Sequence, residues 1–234
     1  MIQSIKASIK ADNTKRAKPL PVPDIIPSLQ SDLGAPLPLH VSLSRTLQIK
    51  TEDRESFLGN LDVAVRRAAV QAFHFAFCGL KWVPNYERNR WFLVLRIERP
   101  AHDELNRLLS ACNEAAQKSG FPALYAGGRG DGPMEMNSPT ASSPGRRDSI
   151  DRSENFHVSI AWNLEEPDSR WVDMVQGLHV DSRIRSPQAS FNVLKARVGN
   201  VVHNFDLKTR RNSLGKDNHG KHSLATRRAS LGLV

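Results

Sequence analysis

The sequence predicts an α+β fold in which two related halves each contribute one functional strand. The tripeptide His-Val-Ser occurs twice in matching apolar frames, Leu39-His40-Val41-Ser42-Leu43 and Phe156-His157-Val158-Ser159-Ile160. Between the copies, apolar spacing of two residues alternates irregularly with spacing of three to four. The resulting order is strand, helix, strands, helix, strand, and not a repeating strand–helix unit. With 234 residues, 39% of them hydrophobic, the chain can bury one good-sized core, or one core built from two related lobes.

Residues 1–35 are polar and lysine-rich, then proline-rich (Pro19, Pro21, Pro23, Pro27), a composition that predicts a flexible arm. The folded domain is expected over 36–207, beginning with a strand over 39–49. In the next segment acids come first, and Phe57, Leu58, Leu61, Val65, Ala68 and Ala72 recur every three to four residues. This pattern predicts an amphipathic helix with a favourably charged first turn. Phe73, Phe75 and Phe77 then alternate with His74 and Ala76, a strand whose aromatic face is more often core than a base-stacking surface. Strands over 80–83 and 91–98 flank a polar turn from Pro84 to Arg90. Leu105, Leu108, Leu109, Cys112, Ala115 and Ala116 trace a second helix over 103–119, with Gly120 placed to end it. Residues 126–154 hold Gly, Ser, Pro and charge with hardly any large apolar side chain, the composition of a disordered insert. A short helix near 171–177 and a hairpin turning at Gly199-Asn200 follow the second motif. From Lys208 onward basic residues face the lone acid Asp217, which predicts a flexible basic tail over 208–234 able to touch phosphates non-specifically.

Lysine and arginine number 33 against 24 acids, a formal charge of +9, which favours a polyanionic partner, although basic tails also raise solubility. Cys78 and Cys112 form no CxxC pair or metal spacing, as befits a reducing intracellular compartment. The first residues carry no apolar signal region, and no stretch approaches the roughly 20 apolar residues of a membrane span, so no membrane partner is expected. The acid-poor first ten residues leave a minor mitochondrial address open.

In an extended strand successive side chains alternate faces, so His40 and Ser42 point one way while Leu39, Val41 and Leu43 point the other. His157 and Ser159 repeat this against Phe156, Val158 and Ile160. Two such strands facing each other across a groove supply two imidazoles and two hydroxyls. Imidazole titrates near pKa ~6.5, so at neutral pH one ring can take a proton while the other gives one. The hydroxyls can donate to an anion between them. Phosphodiester transesterification needs that set. A single histidine in a strand is more often one satisfied by backbone hydrogen bonds; the second copy in the same frame is what argues for chemistry. His74, His102, His179, His203, His219 and His222 form no comparable pair and read as structural or surface residues.

The segments LHVSLS at 39–44, RWFLVLRIE at 90–98, FHVSIAW at 156–162 and RVGNVVHNFDL at 197–207 together resemble the 2H phosphoesterase superfamily and, within it, the U6 small nuclear RNA phosphodiesterase branch. The resemblance covers most of 36–207 outside the 126–154 insert. It implies a two-lobed, pseudo-symmetric α+β fold with antiparallel sheets and flanking helices around a central cleft. It also implies a metal-independent 3′-to-5′ exonuclease, without cofactor, that trims uridines or adenosines from the end of U6 RNA. The product would end in a 2′,3′-cyclic phosphate or an opened linear phosphate. By resemblance the catalytic pair is His40 and His157, with His157 as base and His40 as acid. The phosphate-binding hydroxyls are Ser42 and Ser159, and the aromatic that stacks on the departing base is Tyr125, here separated from His157 by the insert. A nuclear monomer is expected, acting on RNA but not DNA, because the reaction needs a 2′-hydroxyl. The alternatives are another 2H activity, such as a 2′,3′-cyclic nucleotide phosphodiesterase or a tRNA-type end-processing enzyme, and a non-catalytic RNA-binding module.

Overall fold

The computed structural model describes residues 1–30, 34–85, 87–126, 151–180 and 191–207, together with the backbone of 231–233. Its central sheet comprises β1 (Ile26–Pro27), β2 (Phe77–Pro84), β3 (Trp91–Ile97) and β4 (His157–Asn163), all antiparallel in the order β1-β4-β3-β2. Proline is tolerated in β1 because that strand is an edge. A second sheet pairs β5 (Val193–Val198) with β6 (Val201–Asp206) across the Gly199-Asn200 turn, where Gly199 adopts φ +61°. On the other side of β5, β7 (Leu231–Leu233) pairs in parallel. The mixed α/β architecture with antiparallel sheets is the expected class.

Helix α2 (Arg54–Ala68) buries Phe57, Leu61, Ala64 and Val65 against α3 (Glu104–Lys118). In α3 the buried face is Leu105, Leu108, Leu109, Cys112, Ala115 and Ala116, the stripe its periodicity requires. Gly120, at φ +78°, follows and donates its N–H to the Gln117 carbonyl. Helix α4 (Ser169–Gln176) lies on β2. Phe73, Phe75 and Phe77 are all buried, and Phe75 stacks on Phe191 with centroids 4.3 Å apart. Their core reading is therefore the right one.

Three expectations need correction. The flexible arm over 1–35 is instead structured through much of its length, because α1 (Ile2–Thr14) buries Ile5 and Ile9 at 1% exposure each. Its end is tied down by polar contacts. The Asn13 side chain brackets Leu20 through both backbone groups, and Asp12 accepts from Trp171 Nε1 at 3.0 Å and from Arg16. Arg16 in turn reaches Asp168 at 2.5 Å, joining α1 to the start of α4. The strand expected over 39–49 is a segment with a single bridge at Ser42 and a bend at Ser44, not a regular ladder among the described residues. The tail, expected flexible to residue 234, ends in β7, where the apolar run Leu231-Gly232-Leu233 pairs with β5. Residues 127–150 of the expected insert and 208–230 of the tail lie outside the described residues.

Both ends of the 126–154 segment are held by asparagines of α3. Asn113 donates to the Leu124 carbonyl at 3.0 Å and accepts from the Leu124 N–H at 2.7 Å. Two helical turns earlier, the buried Asn106 bonds the Asp151 carboxylate and accepts from the Arg152 N–H. The chain therefore re-enters the sheet at a fixed register, whatever happens between these points.

Candidate active site

β4 carries the second motif, and its burial alternates as a half-buried strand must: His157 and Ser159 are partly exposed, while Phe156, Val158 and Ile160 are buried. The first motif shows the same alternation without a continuous ladder, with His40 and Ser42 partly exposed and Val41 and Leu43 buried. Leu39, expected to help anchor the opposite face, is 38% exposed and does not.

The two imidazoles are held alike. His157 Nδ1–H donates to the Asn155 carbonyl at 2.7 Å, and His40 Nδ1–H donates to the Pro38 carbonyl at 3.2 Å. In each case the acceptor lies two residues back along the chain. A carbonyl can only accept, so each bond puts a proton on Nδ1 and leaves Nε2 for a substrate. Burial holds the His157 pKa below the ordinary imidazole value; the Asn155 hydrogen bond opposes this, and the positive charges of Lys81 and His40 add to the lowering. A charge on His40 is felt at His157, so the two motif histidines lie within electrostatic range of each other. At neutral pH His157 is therefore a neutral ring with an open Nε2 lone pair.

The sheet register surrounds His157 and Ser159 with cations that sequence reasoning missed. Arg96 of β3 pairs directly opposite His157; Val94 lies opposite Ser159, and Lys81 of β2 lies opposite Val94. Cross-strand partners share a face, so Lys81 and Arg96 stand beside the motif. Lys81 Nζ donates to the Glu154 carbonyl at 3.2 Å, and Arg96 pairs with the Glu154 carboxylate at 2.5 Å. The signal was available in the sequence, since Lys81 and Arg96 interrupt two otherwise apolar strands. Further along, Arg90 stacks over Trp162 at 4.4 Å and Arg88 pairs with Glu166, so these two cations of the expected polar turn have partners within the protein.

Tyr125 is largely buried. It is only 9% exposed, meets Phe156 edge-to-face at 6.4 Å, and donates its hydroxyl to the Asn155 carbonyl at 3.2 Å. What remains accessible lines an open pocket beside Asn113 and Arg152. Its hydroxyl shares an acceptor with His157 Nδ1. Replacing Tyr125 with phenylalanine tests the difference. A stacked ring would tolerate the change, whereas loss of the hydroxyl should lower the unfolding free energy by ~0.5–1.5 kcal/mol and reduce kcat more than it raises KM. Cys112, buried, has its thiol pushed up to about 12 by desolvation and is no nucleophile.

A family model covering residues 3–206 matches the chain; the family is HVSL, described as an uncharacterised conserved protein. The U6 snRNA phosphodiesterase 1 of Neurospora crassa is 27% identical over 201 residues, which is 75% of this chain. The chain spans about half the length of that curated relative, 49%. The structure of Kluyveromyces marxianus Usb1 with uridine monophosphate superposes with a TM-score of 0.50 at 21% identity, covering 88% of this chain and 89% of its own. A second structure of that Usb1 gives the same TM-score at 20% identity, covering 88% and 91%. The fold of this chain is that of these proteins. With its two His-Val-Ser motifs, the chain belongs to the HVSL family, and the resemblance of its sequence to the U6 snRNA phosphodiesterases is borne out.

Proposed function

We propose that this chain is a metal-independent 3′-to-5′ RNA phosphodiesterase that trims the uridine-rich 3′ end of U6 snRNA in the nucleus. The observation that carries this reading is the pair of imidazoles, each with Nδ1–H tied to a backbone carbonyl and Nε2 left for a substrate. His157, kept neutral by burial, takes the proton of the 2′-hydroxyl at Nε2. The 2′-oxygen attacks the adjacent phosphorus, the bond from phosphorus to the 5′-oxygen of the terminal nucleoside breaks, and His40 protonates that oxygen. The shortened RNA then ends in a 2′,3′-cyclic phosphate, which a water can open by the same two groups acting in reverse. Ser42 and Ser159 donate to the non-bridging oxygens as charge grows there. Lys81, beside His157, adds a positive charge for the same phosphate. DNA, lacking the 2′-hydroxyl, is left intact.

The test is digestion of a 3′-uridylated oligoribonucleotide in EDTA, with mass analysis of the ends. Stepwise shortening to cyclic-phosphate ends is the expected result. Cleavage confined to free 2′,3′-cyclic nucleotides, or binding without cleavage, would overturn it.

The pH profile follows from the direction of the His157 shift. A base works only when unprotonated, so the acidic limb of kcat/KM should lie below the ordinary imidazole pKa of ~6.5. Replacing Lys81 with methionine removes a charge that lowers the His157 pKa, so the acidic limb should move to higher pH. An unmoved limb would show that Lys81 does not act on this ring.

A further inference from the structure

A groove of about 230 Å³ opens where residues 44–49, the first turn of α2 and the end of β5 meet; it is lined by Ser44, Arg45, Gln48, Arg54, Phe57 and Arg197, among others. Among the described residues its lining contains no carboxylate. Arg54 passes over the Gly199 turn, with Nη1 only 3.5 Å from where a Cβ at that glycine would stand. Arg54 Nε is buried and has no hydrogen-bond partner among the described residues. A buried guanidinium donor is stabilised by any acceptor that reaches it, and an anion is the strongest such acceptor. Guanidinium groups match phosphate oxygens in charge and fork geometry.

The groove is also in line with the candidate active site. Ser44, at a bend two residues after Ser42, lines the groove, and two residues span at most roughly 7 Å. A phosphate at the histidines would direct the next one along a single strand towards these arginines. We propose that the groove holds an upstream backbone phosphate of the single-stranded RNA whose 3′ end lies at His40 and His157. The site makes the enzyme a reader of chain length, favouring an oligonucleotide over a dinucleotide, and it deepens the RNA phosphodiesterase reading on which it rests.

The test is equilibrium binding of non-cleavable 2′-O-methyl oligouridylates, a hexamer and a dimer, over a salt series. Arg54→Gln should weaken the hexamer about tenfold and flatten its salt slope by about 0.7, leaving the dimer unchanged. Arg197→Gln, at an exposed position, should act in the same direction and cannot be dismissed as a folding defect. Wild-type hexamer affinity and slope in both variants would overturn the proposal, as would an equal loss for the dimer. A wild-type protein that shows this length-dependent binding but trims nothing would uphold the phosphate site while sinking the proposed activity.

Discussion

Replacing His157 with alanine should lower RNA trimming by ~10²–10⁴-fold, and replacing His40 should lower it by a similar factor. Each histidine handles one end of a single proton transfer sequence, so the double variant should be little worse than either single one. Both rings are partly exposed on the motif face, and each makes its Nδ1 hydrogen bond to a backbone carbonyl. Neither substitution opens a large apolar cavity. The variants should therefore keep their unfolding temperature and still bind oligouridylate, which separates lost chemistry from lost structure. Single-turnover cleavage in chelator, read by mass analysis, is the measurement. Trimming within tenfold of wild type by either variant would remove the mechanism.

Replacing Ile9 with alanine should lower the unfolding free energy by ~2–5 kcal/mol, and Ile5→Ala should do the same. Both side chains are 1% exposed inside the one hydrophobic core of the described residues. A surface arm would lose nothing measurable from either change. The Asp12 network adds a second route to the same conclusion: Asp12→Asn weakens its bonds to Arg16, Arg170 and the Trp171 indole. The Arg16 and Trp171 contacts lower the Asp12 pKa against its own desolvation. A carboxyl with a depressed folded-state pKa stabilises above its unfolded value, and this contribution is lost as pH falls through the folded pKa. Asp12→Asn should therefore be less stable than wild type at neutral pH, and the gap should close as pH falls through the folded-state pKa of Asp12. Thermal melts of Ile9→Ala decide the main point.

The chemistry was legible in the sequence because it is local. His157 and Ser159 sit in β4, and His40 and Ser42 in a segment with the same alternation of burial, so the two-residue period alone tells which side chains share a face. The helices over 54–68 and 104–118 were legible for the same reason, since a continuous apolar stripe needs only one face to bury. Helix α1 was missed although Ile2, Ile5 and Ile9 recur at three and four residues; lysines and the prolines that follow made the composition look unfolded. What holds it is Trp171, more than 150 residues away, a pairing no local pattern reports. Lys81 was missed similarly, because its place beside His157 depends on β2 and β4 both pairing with β3. Tyr125 was placed from the resemblance, and its burial against Phe156 depends on tertiary packing that spacing does not reveal.

The paired asparagine clasps of α3 carry one more consequence. Asn106 and Asn113 stand seven residues apart, roughly 10 Å along the helix axis, so the polypeptide departs and returns at two nearby fastened points. Between such points, doubling the length of the excursion adds only ~0.6 kcal/mol of closure entropy. This stretch can thus be lengthened, shortened or rewritten while the motif residues stay in place. The same place is the natural port for grafting a reporter or tethering domain.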